Sequence, residues 1–280
     1  MLSFSLSTGI SMDHLQDELQ QVLSTRPPLA AMKEELKRMS AFLDLTSLEG
    51  TDNKEKIAQL CSKARAFSSH HLPLPAAVCI YSPFIATARQ LLAGTPVKVA
   101  TVAAAFPHGQ QPLKVKLEEI RYAMKEGADE IDIVISRGTF LEKDYPTVYR
   151  ELDAMREATH GKTLKVILET GELQTPENIA KASELAIETG ADFIKTSTGK
   201  ITPAATEASV FIMLRIIREH FRKTGKKVGI KPAGGIADAE KALNYYWLVR
   251  EVLGESWLHP DYFRLGASRL ADQLVALAVL

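Results

Sequence analysis

The chain has 280 residues, 46% of them hydrophobic and 24% charged, a composition typical of one large or two modest globular domains. Its 34 Lys and Arg residues equal its 34 Asp and Glu residues, so no global positive field favours nucleic acid or an anionic membrane. The longest apolar runs are too short to span a bilayer, and the first residues lack the features of a signal peptide.

The first forty residues have a helical pattern. Ser11 can cap the segment MDHLQDELQQVL, and LAAMKEELKRMSAFL follows the break at Pro27-Pro28. We expect residues 1–40 to form a helical extension packed on residues 41–280. No low-complexity linker separates the two parts, so the sequence predicts a single domain overall.

Eight candidate strands follow, separated by amphipathic helical patterns. Several of these patterns end in a glycine, as helices often do, at Gly127, Gly190 and Gly225. Eight strand–helix units predict a (β/α)8 barrel, with a doubly wound open sheet as the alternative. The strands are FLDLTSL from Phe42, AAVCIY from Ala76, VKVATVAA from Val97, DEIDIVIS from Asp129, TLKVILET from Thr163, DFIKTST from Asp192, KVGIKPAGG from Lys227 and YFRLGAS from Tyr262.

Strand alternation places charged side chains inside the predicted barrel. When Ile194 and Ile230 face the outer helices, Lys195 and Lys231 must point inward on neighbouring strands. Barrel interiors are normally filled by Val, Ile and Leu, so this charge indicates a function. The same rule turns five more charged residues inward: Asp44, Glu130, Asp132, Lys165 and Glu169.

Paired inward lysines suit Schiff-base chemistry. An amine must be neutral to attack a carbonyl, and burial or a neighbouring cation lowers a lysine pKa. Lys231 can therefore hold Lys195 neutral while Asp132 and Asp44 compensate the remaining charge. The alternative is a structural charge network that plugs the barrel, in which Lys165 is the first choice for a purely structural member.

Three glycine-rich stretches follow the last three strands: TSTGK, PAGGI and LGAS. Loops at these positions of a barrel often bind phosphate through backbone N–H groups. Each stretch alone is a weak signal, but three at one end of the barrel favour a phosphorylated substrate.

Six motifs give the sequence a specific resemblance from about Phe42 to Leu270: FIKTSTGK, VGIKPAGG, ADEIDIVIS, LKVILETGEL, AAFPHG and FRLGAS. Together they resemble the deoxyribose-phosphate aldolases, a family of class I, Schiff-base-forming aldolases. The resemblance implies reversible cleavage of 2-deoxy-D-ribose 5-phosphate to acetaldehyde and D-glyceraldehyde 3-phosphate. It also implies a lyase of deoxyribonucleotide catabolism and carbohydrate degradation that needs no metal or other cofactor.

The resemblance assigns roles to individual residues. Lys195 forms the Schiff base, Lys231 perturbs its pKa, and Asp132 transfers protons with an ordered water. The phosphate contacts carried over are Gly199, Lys200, Gly234, Gly235, Gly266 and Ser268. The other substrate-binding positions are Asp44, Thr46, Cys79, Lys165 and Thr198.

The chain also departs from the family pattern. Arg269 stands where relatives commonly have a second serine, and Ala237 where a basic residue is common. The phosphate site is therefore expected to be rearranged, with Arg269 as the candidate for the missing charge. Some relatives end in a flexible tail with a terminal tyrosine, whereas this sequence ends in VALAVL; Asp132 is then expected to serve both proton transfers.

Other functions remain open from the residues alone. His108 is expected to order its loop, whereas a metal-dependent aldolase or isomerase would need a cluster of histidines and carboxylates there. Another Schiff-base aldolase and a non-catalytic sugar-phosphate-binding barrel are the further alternatives. The expected partners are a sugar phosphate and aldehydes, without nucleic acid or membrane and with a homodimer left open. Cys61 and Cys79 form no metal or disulfide pattern, which predicts free thiols in a reducing cytoplasm.

Overall fold

Eight short parallel strands form one continuous sheet in the computed structural model, which describes residues 12–278. The sheet order is β7-β6-β5-β4-β3-β2-β1-β8, and the parallel bridges Ile230–Phe263 and Ala233–Gly266 join its two ends. The predicted (β/α)8 barrel is confirmed, and the open-sheet alternative is wrong. The strands are β1 Leu43–Thr46, β2 Ala77–Ile80, β3 Lys98–Ala103, β4 Glu130–Val134, β5 Thr163–Ile167, β6 Phe193–Lys195, β7 Gly229–Lys231 and β8 Leu265–Ala267.

Twelve α-helices accompany the strands in the described part of the chain. They are α1 Met12–Ser24, α2 Lys33–Met39, α3 Lys54–Ala66, α4 Ile85–Leu91, α5 Leu113–Lys125, α6 Arg137–Leu141, α7 Tyr145–Ala158, α8 Thr170–Leu173, α9 Pro176–Glu188, α10 Glu207–Thr224, α11 Ala239–Leu253 and α12 Arg269–Ala278. None of the helices in residues 12–278 combines the length and apolar character that a bilayer crossing needs.

Local capping explains where several helices begin and end. The side chain of Asn53 accepts a hydrogen bond from Lys56 N and starts α3. Thr206 and Ser209 form a reciprocal capping box at the start of α10, which ends at Gly225 with φ +70°. The predicted cap at Ser11 lies outside the described residues.

The first two helices pack against the last helices of the barrel. Glu18 of α1 forms a 2.7 Å ion pair with Arg215 of α10, and Trp247 of α11 donates to Val22 O at 3.2 Å. Helix α2 lies against α12. These contacts hold the N-terminal helices on the outside of the barrel.

The apolar core lies between the sheet and its helices. Ile131, Ile133, Ile194 and Ile230 are fully buried there, as the alternation predicts. The inner face instead carries a buried charge network on one side and a small apolar cluster on the other. It opens at the carboxyl ends of the strands, where the glycine-rich loops meet.

Candidate active site

The two predicted inward lysines lie side by side. The register of β6 and β7 pairs Lys195 with Lys231, and both are almost fully buried. Each Nζ donates to the same oxygen, Oδ2 of Asp132, at 2.7 Å. The structure therefore brings together the three residues for which the sequence predicts a catalytic role.

A second layer of charge lies next to this trio, toward the amino ends of the strands. Nζ of Lys165 is 2.6 Å from Glu130 Oε2, 3.0 Å from Asp132 Oδ1 and 3.2 Å from Asp44 Oδ2. Arg264 donates to Asp44 Oδ1 at 2.6 Å and to both oxygens of Glu130. Carboxylates therefore face Lys165 on three sides.

These two layers form one charge network, because Lys231 Nζ also lies 2.5 Å from Asp44 Oδ2. Its buried members are four cations and three carboxylates, so their formal charges balance when one amine is neutral. From the exposed end, Lys98 approaches Glu130 at 3.5 Å. The cations are Lys165, Lys195, Lys231 and Arg264, and the carboxylates are Asp44, Glu130 and Asp132.

Lys195 differs from Lys165 and Lys231 in the direction of its pKa shift. Burial lowers the pKa of Lys195, and the Lys231 ammonium adds to this effect, while Asp132 opposes it. Burial also disfavours the charged forms of Lys165 and Lys231, but Asp132 and Asp44 outweigh it and raise both pKa values. Asp132 stays ionised because the surrounding lysines overcome its burial and lower its pKa.

A cavity of about 260 Å³ opens from Lys195 to the carboxyl end of the barrel. Asp44, Cys79 and Lys165 are fully buried and lie outside its lining, so their predicted contact with substrate stays a prediction. The predicted binding residues that line it are Thr46, Thr198, Gly199, Lys200, Gly234, Gly235, Gly266 and Ser268.

Two glycine-rich loops meet backbone to backbone at the wall of this cavity. Gly199 and Gly234 both have φ +79°, in the left-handed region that favours glycine. A Cβ atom on Gly234 would lie 2.9 Å from Gly199 Cα and 2.7 Å from Ala204 Cβ. Only residues without a side chain fit this approach, which leaves peptide groups to form the wall.

Three cations surround the mouth of the cavity, one from each of the last three strand–helix connections. Lys200 Nζ forms a 3.0 Å ion pair with Glu49, which also lines the cavity. Arg269 begins α12 and is exposed. Lys241 Nζ lies 3.7 Å from the position that a Cβ on Gly235 would occupy.

The opposite wall of the barrel mouth is apolar. Cys79 is fully buried in a small cluster with Ala77, Ala100, Val102 and Leu48. Burial raises the pKa of the Cys79 thiol, which keeps it protonated. The interior therefore presents a charged side and an uncharged side to any ligand that reaches Lys195.

His108 lies in the loop after β3 and has a structural contact. Its Nδ1 accepts a hydrogen bond from Gln110 N at 3.0 Å, as expected of a residue that orders its loop. Among residues 12–278, no group of three or more His, Cys, Asp or Glu side chains is arranged to hold a metal ion.

Sequence reasoning missed three residues around the site. Arg264 shares strand parity with Gly266, which could have placed it inside the barrel. Lys241 is in the first turn of α11, where a cation opposes the helix dipole and is therefore a signal of function. Strand alternation places Glu169 in the interior, but its contact with Thr198 depends on a left-handed backbone conformation that no sequence pattern predicts.

Comparisons with known proteins agree with this geometry. A family model described as DeoC/LacD family aldolase matches residues 35–245. The human deoxyribose-phosphate aldolase is 46% identical over 245 residues, covering 83% of this chain and 77% of the relative. The bovine deoxyribose-phosphate aldolase is 45% identical over 240 residues, covering 81% and 76%.

A solved structure extends the likeness to the fold. The tetrameric deoxyribose phosphate aldolase from Aeropyrum pernix superposes with a TM-score of 0.68 at 25% identity, covering 93% of this chain and 96% of that one. The predicted family and enzyme class are confirmed. This chain belongs to the DeoC/LacD aldolases and is an aldehyde lyase of the deoxyribose-phosphate aldolase type.

Proposed function

We propose that this aldolase cleaves 2-deoxy-D-ribose 5-phosphate to acetaldehyde and D-glyceraldehyde 3-phosphate through a Schiff base on Lys195. One observation carries the proposal: Lys195 is the buried cation of the network that lines the cavity and has a lowered pKa. The human and bovine relatives bear the name of the same activity.

The reaction begins with the neutral amine. Lys195 Nζ attacks C1 of the open-chain sugar, and loss of water gives an iminium ion. The iminium withdraws electrons from the C2–C3 bond, which breaks as the 3-hydroxyl loses its proton and D-glyceraldehyde 3-phosphate leaves. The remaining enamine takes a proton on carbon, and hydrolysis then frees acetaldehyde and regenerates Lys195.

Asp132 handles the protons in this proposal. Its Oδ2 accepts from both Lys195 and Lys231, so it can pass a proton between these amines and a water in the cavity. The lowered pKa of Asp132 means that the proton rests on it only briefly. Lys231 stays protonated and restores the neutral form of Lys195 by its charge.

The glycine-lined wall is proposed to bind the 5-phosphate. Gly199, Gly234 and Gly235 offer backbone at the cavity, and Lys200, Lys241 and Arg269 offer charge at its mouth. A cavity of about 260 Å³ is slightly below the range of about 300–1,000 Å³ for drug-sized ligands. That volume suits a five-carbon sugar phosphate.

Three finer expectations belong to the same proposal. We infer a cytoplasmic enzyme of deoxyribonucleotide catabolism, with support from the free, buried thiols of Cys61 and Cys79. A homodimer stays a prediction, and the Aeropyrum pernix relative is a tetramer. Light scattering on the purified protein measures the assembly directly.

Reductive trapping tests the reaction. The protein is treated with borohydride in the presence of deoxyribose 5-phosphate, and the adduct is mapped by peptide mass spectrometry. We expect one adduct, on Lys195, together with acetaldehyde release in untreated samples. An adduct on Lys231, or none, would overturn the assignment, and turnover of a different aldehyde or keto acid in a substrate panel would reassign the reaction.

A further inference from the structure

Glu169 is a buried carboxylate that the proposed chemistry does not use. It follows β5 directly and is fully buried, in a left-handed backbone conformation with φ +58° and ψ +60°. Burial raises the pKa of Glu169, while the hydrogen bonds from Thr198 and the charge of Arg137 oppose this rise. A non-glycine residue in this conformation often marks a functional constraint.

Its carboxylate accepts both hydrogen-bond donors of Thr198. The Thr198 amide donates to Oε1 at 3.2 Å and to Oε2 at 3.4 Å, and the Thr198 hydroxyl donates to Oε2. Because its proton is directed at Glu169, the hydroxyl oxygen can accept the Lys200 amide at 3.1 Å. Glu169 thus fixes the turn from Thr198 to Lys200, which lines the cavity.

Arg137 anchors Glu169 from the far side. Its Nη1 lies 3.3 Å from Glu169 Oε2 and 2.9 Å from Glu172 Oε2. Its Nη2 donates to Pro107 O at 3.0 Å. Through Arg137, the connections after β3 and β4 therefore hold the Glu169 carboxylate. Its position does not depend on the turn from Thr198 to Lys200.

We propose that Glu169 is a positioning residue for phosphate binding and acts through Thr198. Gly199 at φ +79° has a wide conformational range, so the turn needs an outside anchor before an anion arrives. Without that anchor, the loop must be ordered during binding and affinity falls. The inference rests on the proposed function, because it assigns the turn from Thr198 to Lys200 to the substrate's phosphate.

The test compares Glu169→Gln with the parent protein. We expect KM for deoxyribose 5-phosphate to rise roughly tenfold, as for loss of a hydrogen bond to a charged group. The value of kcat should stay within about threefold, and kcat/KM for unphosphorylated 2-deoxyribose should be unchanged, since Lys195 and its network are intact. Thr198→Val should add less to Glu169→Gln than it costs in the parent protein, because both changes weaken the contact between the Thr198 hydroxyl and the side chain at position 169.

Glu172→Gln is the matched control. It makes the same substitution next to the same Arg137, but Glu172 lies in α8, its side chain is 43% exposed, and it has no bond to Thr198 in the described structure. KM should therefore stay at the parent value. An equal rise in both variants would show a general effect of charge near Arg137 and would overturn the proposal.

Inorganic phosphate separates this inference from the proposed reaction. Its affinity is measured by titration calorimetry, which needs no turnover, on the parent and both variants. A roughly tenfold weaker Kd in Glu169→Gln alone supports the positioning role, even if deoxyribose 5-phosphate proves not to be a substrate. Equal Kd values in Glu169→Gln and the parent overturn it, even if the aldolase reaction is established.

A folding failure would not leave the inference untested. If Glu169→Gln does not give a cooperative thermal transition, Arg137→Gln removes the anchor and keeps the carboxylate. We expect a weaker phosphate Kd in that variant as well. Parent-like phosphate affinity in a folded Arg137→Gln protein would contradict the proposed anchoring of the turn.

Discussion

Lys165 and Lys195 are lysines in the same barrel interior, both almost fully buried, yet their pKa values move in opposite directions. Three carboxylates contact Lys165, whereas Lys195 contacts one carboxylate that Lys231 shares. In the proposed mechanism, the first arrangement gives a structural cation and the second the nucleophile. Burial alone therefore does not make a lysine reactive; the number of partners decides.

The largest expected effect separates these two lysines by substitution. Lys195→Met should abolish trapping and lower kcat by about 10³-fold or more, with little loss of stability, because three cations then balance three carboxylates. Lys165→Met should instead lower the free energy of unfolding by about 3–5 kcal/mol, because buried carboxylates lose their partner. Urea unfolding and single-turnover kinetics measure both.

The opposite changes in stability would contradict this difference between Lys195 and Lys165. A large loss of stability in Lys195→Met would mean that Lys195 is a charged member of the network, as Lys165 is. Full activity in a stable Lys165→Met protein would show that Lys165 does not affect the reactivity of Lys195.

Lys231→Leu tests how Lys231, which shares the Asp132 carboxylate with Lys195, affects the pKa of Lys195. Lys231 lowers the pKa of Lys195, so its removal should raise that pKa. The active form is the neutral amine, and activity rises as the pH passes its pKa. The rising limb of the kcat/KM profile should therefore move to higher pH, with lower turnover near neutrality.

Lys231→Arg is the control for this shift, because it keeps a cation at the same position. Its rising limb should lie closer to that of the parent than the limb of Lys231→Leu does. Identical pH profiles for Lys231→Leu and the parent would reduce Lys231 to a structural role.

A smaller effect is expected at the mouth of the cavity, outside the buried charge network. Arg269→Ser and Lys241→Met should each raise KM for deoxyribose 5-phosphate about three- to tenfold, because each removes a charge that we propose contacts the phosphate. Lys223→Met is the control, since Lys223 is exposed and paired with Glu219 on α10. If Arg269→Ser leaves the preference for phosphate unchanged, Arg269 does not compensate for Ala237.

The smallest expected effect is that of a chelator. Saturating EDTA should leave kcat unchanged, because the iminium ion on Lys195 supplies the electron sink that a metal would otherwise provide. Steady-state assays before and after dialysis against EDTA measure this. Loss of activity that zinc restores would favour the metal-dependent alternative.

The two regions also differ in how far the sequence could predict them. Strand alternation alone placed Lys165, Lys195, Lys231, Asp44 and Asp132 in one interior, because a period of two leaves a side chain little choice of face. The barrel followed from eight regular strand–helix units. Both predictions depend on a repeated local pattern, which can be recognised in a single sequence.

The carboxyl end of the barrel was less predictable. Lys241 lies in the first turn of α11, where its side chain approaches Gly235. Glu169 contacts Thr198 because its own backbone is in the left-handed conformation. Such contacts depend on loop conformations that no periodicity encodes. The sequence predicted a lowered pKa for Lys195 from burial and a neighbouring cation, and burial is the largest cause.

The pH dependence of reductive alkylation measures which of the buried lysines reacts as a neutral amine. The protein is incubated with acetaldehyde and cyanoborohydride over a series of pH values, and the modification of each buried lysine is quantified by peptide mapping. We expect labelling of Lys195 with a midpoint below the ordinary lysine value of about 10.4, and none of Lys165 or Lys231. Labelling of Lys165 or Lys231 ahead of Lys195, or a Lys195 midpoint at or above that value, would contradict it.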